Sequence, residues 1–441
     1  MKTTRIAAIT ALLILSQAPF VFAQRQMTIG DALAIGMEQN SDVKISIFKA
    51  ESVGDAKISE VEAGRLPSLK FSAGYTRLSD IGTPVFPIPI PGIPPVAITT
   101  YFLDNYSLKL TLNQPLFTGF RLSNQQSQAE HTSAAAKQDV SATKTQLSYT
   151  IQQEYWTIYK YQQTLSAQVA DSIEAEAHVV DVKNNFANGT ALQNDVLKSQ
   201  VQVSNIQLQL LQTQNAIKVA MAQLMNTLGL PLSTYVQLTT TPDSLAPADQ
   251  DLSALITQGK EKRAELMATD ERIAAQHNAV GVAQAGYYPQ VSVTGDAYYQ
   301  NPNQRYFPEV QVWNSTWDAS LNLSWDIWNW NIPGRQSEEA EYTLEQLQET
   351  RKQSEQNIAL EITQNYLAQQ TSFAQIHVAK LSIEQAAENL RVVKIQWSKG
   401  AAINTDVLDA ESLYMQAQVN YYTAIADANI ATAKLHASIG G

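Results

Sequence analysis

Cysteine is absent from the 441 residues. Its absence excludes disulfide scaffolds, thiolate metal sites, cysteine nucleophiles and an N-terminal lipid-modified cysteine. Charge is also scarce: Asp, Glu, Lys and Arg make up 16% of the chain, against roughly 25% in an average domain. Uncharged polar residues, with Gln, Asn, Ser and Thr recurring throughout, take their place. This composition excludes a charge-extended disordered chain and a basic nucleic-acid binder. Mean hydropathy is −0.20, and beyond the first residues no segment is apolar for long enough to cross a bilayer as a helix.

The first 23 residues carry an address. Lys2 and Arg5 form a positive n-region, Ile6 to Leu15 a short apolar stretch, and Val21-Phe22-Ala23 offers residues tolerated at a cleavage site. The apolar core is too short to span a membrane, so residues 1–23 read as a cleaved secretory signal rather than an anchor. Removing Lys2 and Arg5 takes the formal net charge from −11 to −13.

The remainder is a duplication. Ala63-Gly64-Arg65-Leu66-Pro67 matches Ala285-Gly286-Tyr287-Tyr288-Pro289 at an offset of 222. Phe186-Ala187-Asn188-Gly189 matches Trp397-Ser398-Lys399-Gly400, and Asn194-Asp195-Val196-Leu197 matches Thr405-Asp406-Val407-Leu408, both at an offset of 211. The first copy therefore carries a net insertion, whose carrier is the proline-rich run Pro84 to Pro95. Proline lacks the backbone donor a central strand needs, so this run reads as a loop. The copies are 24–230 and 250–441, joined by a linker over 231–249.

Within each copy the apolar period switches. Tyr106, Leu108, Leu110 and Leu112 alternate with polar residues, as do Trp317, Ala319, Leu321, Leu323, Trp325 and Ile327; 68–79 and 290–299 alternate more weakly. Four two-faced strands are expected, over about 68–79, 104–117, 290–299 and 316–328. Elsewhere the period is helical. Val196, Val203, Leu210, Ile217 and Leu224 recur every seven residues, as do Ala410, Ala417, Ala424 and Ala431. Neither 122–186 nor 336–397 contains proline or glycine. At 1.5 Å per residue such segments make helices roughly 90–100 Å long. Helices are expected over about 121–187, 191–228, 335–398 and 403–438, paired as antiparallel hairpins that bend at Gly189 and Gly400.

Five of the seven tryptophans, Trp313, Trp317, Trp325, Trp328 and Trp330, crowd one strand and its ends; Tyr101, Phe102, Tyr106, Phe117, Tyr298 and Tyr299 crowd the others. Strands with one apolar face and aromatic ends suit a membrane β-barrel. A soluble hairpin packed on the helices fits the alternation equally; the secretory signal favours the barrel. Four strands cannot close one, so several copies must contribute, and three would supply twelve. Gln200, Gln207 and Gln214 share a stripe suited to a hydrated lumen or an ordinary solvated face.

The tandem copies, the segment Leu112 to Arg121 (LNQPLFTGFR) and the turn Gly400 to Ala410 (GAAINTDVLDA) resemble the TolC family of outer-membrane efflux proteins across essentially the whole mature chain. The resemblance implies a mainly α protein. Very long helical hairpins would build an α-barrel, and four strands would join a trimeric twelve-stranded transmembrane β-barrel. It further implies a homotrimer in outer-membrane lipid, docked through hairpin tips at Gly189 and Gly400 to a periplasmic adaptor (membrane fusion protein) and an inner-membrane transporter. The function so implied is a passive exit duct for efflux or type I secretion. Asp406 and Asp409 match a pair that lines the closed periplasmic entrance, with Asp195 and Trp397 beside it. Three copies would gather up to six carboxylates near the axis, a ring that attracts cations. Acidic residues also simply suit a helix N-terminus. Lys198 stands where Asp409 repeats, and Ala402 where the family often has a basic latch residue. The alternative is a periplasmic coiled-coil structural or adaptor protein without a pore.

Catalysis finds little support. The five histidines, His131, His178, His277, His377 and His436, include no pair at metal-ligand spacing, and Gly281 to Gly286 runs into Tyr287-Tyr288 rather than a phosphate loop. No cofactor, metal or nucleic-acid partner is expected.

Overall fold

The computed structural model describes residues 25–80, 82, 85–86, 89–92, 96–97, 102–242 and 250–441. The expected signal segment, Tyr101, half of the proline-rich run and residues 243–249 of the linker lie outside the described residues.

In chain order the first copy contains β1 (Arg25–Met27), α1 (Ile29–Gln39), α2 (Ser41–Val53), α3 (Asp55–Ala63), β2 (Ser68–Arg77), β3 (Val85–Phe86), β4 (Val96–Ala97), β5 (Asp104–Phe117), α4 (Arg121–Ala187) and α5 (Gln193–Thr227). Then follow β6 (Val236–Leu238), α6 (Leu252–Lys262), α7 (Ala264–Gln284), β7 (Gln290–Asn301), β8 (Asn314–Ser324), α8 (Ile332–Ser398) and α9 (Asn404–Ser438). The duplication extends to element length: α4 and α8 each have 67 residues, α5 and α9 each 35. The expected proline-rich loop carries one two-residue strand, β3, formed by the two non-proline residues between Pro84 and Pro87.

Residues 47–139 and 265–354 form one compact unit. Its antiparallel sheet has the order β2-β5-β7-β8. Register sorts the faces: Leu69, Leu112, Gly295 and Ala319 align on one, as do Phe71, Leu110, Ala297 and Trp317. The opposite face aligns Lys70, Thr111, Asp296 and Asp318, with Lys109 ion-paired to Asp296 at 3.0 Å. Trp317 and Phe71 are 74% and 64% exposed, so among the described residues nothing covers the apolar face at these two. Aromatics gather at both strand ends. Trp313 stacks on Tyr299 at 4.9 Å and meets Tyr106, which meets Tyr75. At the other end Phe120 packs edge-on against Phe117 and Tyr288, and Trp328 against Trp330.

The strand expected over 316–328 is instead Asn314–Ser324. The alternation runs on to Ile327, but Trp330 and Asn331 adopt left-handed φ of 56° and 58° and turn the chain into α8. Their counterparts 211 residues earlier, Gly119 and Phe120, do the same at 64° and 68°. In the same unit Arg272–Asp139 and Arg351–Asp270 ion pairs tie α7 to α4 and α8.

Residues 25–46, 140–264 and 355–441 form the other compact unit. Thr28 and Asp31 close a reciprocal capping box on α1. β1 and β6 pair in parallel. The buried Tyr155 hydroxyl donates to the Met27 carbonyl at 3.0 Å and accepts from the Thr239 and Thr240 N–H groups. Gly36 lies against Ile151 and Gly259 against Ile362, one tight contact made once in each copy. Among the described residues no helix is long and apolar enough to cross a membrane.

Candidate functional site at the hairpin tips

Both hairpins bend by one design. Gly189 and Gly400 take φ of 75° and 72° at the ends of α4 and α8, a left-handed position that closes a helix cheaply only with glycine. Gly189 N–H donates to Phe186 C=O and Gly400 N–H to Trp397 C=O, each at 3.0 Å. The returning helices are capped alike. Leu192 N–H donates to Asp195 Oδ2 at 3.1 Å, and Ile403 N–H to Asp406 Oδ2 at 3.0 Å. Asp195 and Asp406 are therefore helix-start carboxylates, a role with a physical reason at the positive end of the helix dipole. Asp409, one turn on, is exposed and has no such task. It shares a groove of about 450 Å³ with Lys198, Asn194, Leu197, Thr405 and Leu408. Lys198 and Asp409, equivalent positions of opposite charge in the two copies, thus line one groove.

Behind the bends the hairpins are joined by a buried polar layer. Asn404, 3% exposed, receives His178 Nε2 at 2.8 Å on Oδ1 and donates through Nδ2 to the Asp195 carbonyl at 3.2 Å. With the Asn404 amide so oriented, Oδ1 can only accept, so the His178 proton sits on Nε2. Ser199 Oγ, 3.2 Å from Asn404 Oδ1 and 3.0 Å from the Asp195 carbonyl, shares one proton between them. Trp397 lies over His178 with centroids 5.5 Å apart. One layer therefore takes His178 from α4, Ser199 from α5, Trp397 from α8 and Asn404 from α9. Burial holds the His178 imidazole below its ordinary range, opposed by the Asn404 hydrogen bond and by Asp181. Sequence reasoning singled out Trp397 and Asp195 but missed Asn404 and Ser199 and treated His178 only as a lone histidine; a polar residue between Ile403 and Val407 carries no periodic signal. Ala402, in the latch position, is half-buried.

The aromatics expected at a membrane interface divide between the two strand ends. Trp313 and Tyr106 lie at one, and Phe117, Trp328 and Trp330 at the other. Trp325 Nε1 donates to the Tyr287 carbonyl at 3.1 Å, and Trp317 lies inside the strand on the apolar face. Among the described residues no group of three or more His, Asp or Glu could hold a metal ion.

Two comparisons place this arrangement among known proteins. A family model described as "Outer membrane efflux protein" matches residues 42–230 and 255–441. The fold is shared with the outer-membrane channel OprN (TM-score 0.76, 16% identity, 94% of this chain and 90% of that one). It is also shared with the CmeC outer membrane channel of Campylobacter jejuni (0.77, 15%, 93% and 85%) and the outer membrane protein VceC of Vibrio cholerae (0.74, 17%, 94% and 96%). No curated protein matches the sequence.

Proposed function

The chain belongs to the outer membrane efflux protein family and is an outer-membrane exit duct reaching into the periplasm, and from that premise we propose that three copies complete it. The observation that carries this reading is the open sheet. β2 and β8 are its edges, and among the described residues neither has a strand on its outer side, beside an apolar face left exposed at Phe71 and Trp317. Such edges invite strands from another copy, and three copies supply twelve strands with lipid outside and the Lys109–Asp296 face inside. Strands of 10 to 14 residues span the hydrocarbon when tilted. The two aromatic clusters, with Trp313, Tyr106, Phe117, Trp325, Trp328 and Trp330 among them, suit its two interfaces, and Trp317 faces lipid within.

The helices favour the same closure. Leu197, Val201, Leu208 and Leu211 on α5, and Leu360, Leu367 and Leu381 on α8, are at least half exposed and follow coiled-coil spacing. Neighbouring copies would bury these seams and leave Gln200, Gln207 and Gln214 to hydrated surface. Asp406 and Asp409 would then ring the periplasmic entrance, with Asp195 and Trp397 behind. The tips at Gly189 and Gly400 and the Lys198–Asp409 groove would meet an adaptor that links the duct to an inner-membrane transporter. A pore-free periplasmic scaffold has no use for the amphipathic sheet.

Because the chain has no cysteine, the closure is testable without background. Single cysteines placed along β2 are paired with single cysteines along β8 and oxidised in outer-membrane preparations. A ladder that stops at three linked copies is expected. Monomers only, or a ladder passing beyond three, would reject the trimer.

A further inference from the structure

One heptad above the His178–Asn404 layer, the same two helices bury a second polar layer. Asp171 precedes His178 by seven residues on α4, and Glu411 follows Asn404 by seven on α9, so antiparallel packing brings them to one level. Asp171 is 8% and Glu411 2% exposed. Asp171 Oδ2 and both Glu411 carboxylate oxygens have no hydrogen-bond partner. Lys394 of α8 is the nearby cation. Its Nζ is 3.7 Å from Glu411 Oε1 and in contact with Glu174 of α4, a more exposed carboxylate that shares it with the buried pair. One ammonium cannot neutralise three carboxylates, and buried carboxylate oxygens without donors are costly while ionised.

We propose that Asp171 and Glu411 form a buried proton-binding layer in the seam between α4 and α9, and that proton uptake there tightens this seam. A proton supplies what the geometry lacks: a donor on the buried carboxyl oxygens that have no hydrogen-bond partner. The charged groups acting on the pair are the two carboxyls themselves and Lys394, which Glu174 engages; in the adjoining layer His178 feels Asp181. Burial foremost, then the Glu411 charge, pushes Asp171 up to about 6 against the pull of Lys394, and burial raises Glu411 likewise. The folded seam therefore binds protons more strongly than the separated helices. Acidification through this range favours closure, and rising pH loosens it. The histidine layer titrates with the opposite sign, because His178 is buried neutral, so its loss opposes this gain on acidification and only comparison with the carboxyl variants isolates the pair. The inference concerns helix packing within one copy and stands whether or not the duct is trimeric.

The test is amide hydrogen exchange of the full-length protein in detergent, corrected for intrinsic rates, on peptides covering residues 164–178 and 404–418. Between about pH 7.5 and about pH 5 the wild-type seam should gain about tenfold in protection relative to Asp171→Asn, which cannot take up the proton. Glu411→Gln should flatten the response in part and move it to lower pH, because burial still raises Asp171. Lys394→Met, which removes the group opposing protonation, should move the transition to higher pH. A protonated-carboxyl infrared band present in the wild type and diminished in Asp171→Asn would support the assignment. A pH response unchanged in both Asp171→Asn and Glu411→Gln would overturn it. Protection that follows Mg²⁺ or K⁺ concentration at fixed pH would also overturn it, in favour of a cation.

Discussion

His178 Nε2 and Asn404 Oδ1 lie 2.8 Å apart although 226 residues separate them in the chain. The contact joins the first hairpin to the second at a buried point behind both bends. Asn404→Ala would leave His178 and the Asp195 carbonyl without this partner; an unsatisfied buried group costs about 1–3 kcal/mol. A loss of about 2 kcal/mol is expected, read as lowered thermal stability, with Asn404→Ser in between.

Acid should weaken this layer. His178 is held neutral by burial, so its folded value lies below that of the unfolded chain, which binds the extra proton first. Stability supplied here is complete above the ordinary imidazole range, about 6.5, and declines as pH falls below it. His178→Gln keeps a donor for Asn404 Oδ1 and removes the titration. Its melting temperature should fall less than that of the wild type between about pH 6.5 and about pH 5; equal slopes would place the acid sensitivity elsewhere.

The two carboxylates proposed for the entrance, Asp406 and Asp409, should separate experimentally. Asp406 caps α9 through Ile403 N–H, so Asp406→Asn should lower stability by about 0.5–1 kcal/mol as well as weaken polyvalent-cation block of single-channel conductance. Asp409 makes no cap, so Asp409→Asn should weaken the block at unchanged melting temperature. Block that persists in the double variant Asp406→Asn with Asp409→Asn would remove the cation ring from these residues.

Turn glycines divide by their surroundings. Gly400 (φ 72°) has open space where a Cβ would stand, and Gly400→Ala should cost about 1–2 kcal/mol for the left-handed backbone alone. Gly440 (φ 83°) would bring a Cβ to 2.8 Å from the Lys262 carbonyl, and Gly229 (φ 70°) to 2.8 Å from that of Gln39. Gly440→Ala and Gly229→Ala should therefore destabilise more than Gly400→Ala and Gly189→Ala, measured by thermal unfolding.

The sheet faces predict opposite tolerance at adjacent residues. Leu110→Lys puts a charge in the apolar row with Phe71, Ala297 and Trp317, and a lipid-facing lysine costs about 2–4 kcal/mol at mid-depth. Thr111→Lys adds one on the polar face. Heat-modifiable oligomers in the outer-membrane fraction should be lost with the first and kept with the second.

Alternation at Tyr106–Leu112, the missing proline and glycine of 122–186 and 336–397, and the Asn188-Gly189 and Lys399-Gly400 bends are local signals. Each is set by a backbone preference or a face that must be buried, so strands, long helices and turns were legible residue by residue. That Asp406 suits a helix N-terminus was legible for the same reason; that it and Asp195 accept the N–H groups of Ile403 and Leu192 was not. Strand ends were less legible: alternation ran past Ser324 because left-handed Trp330 and Asn331 leave no compositional mark. The short helices α1 to α3 also went unread, since they contribute only a few turns of periodicity each.

What the sequence determined alone was therefore the duplicated unit and its two-faced strands, because repeats and periods are properties of neighbouring residues. Which polar residues meet was decided only by tertiary structure. His178 and Asn404, Asp171 and Glu411, Lys198 and Asp409 come from different copies, and no local pattern relates them. The first two pairs share a layer because antiparallel helices bring distant heptads to one level, where burial makes every unpaired donor or charge matter; Lys198 and Asp409 share a groove because α5 and α9 start side by side.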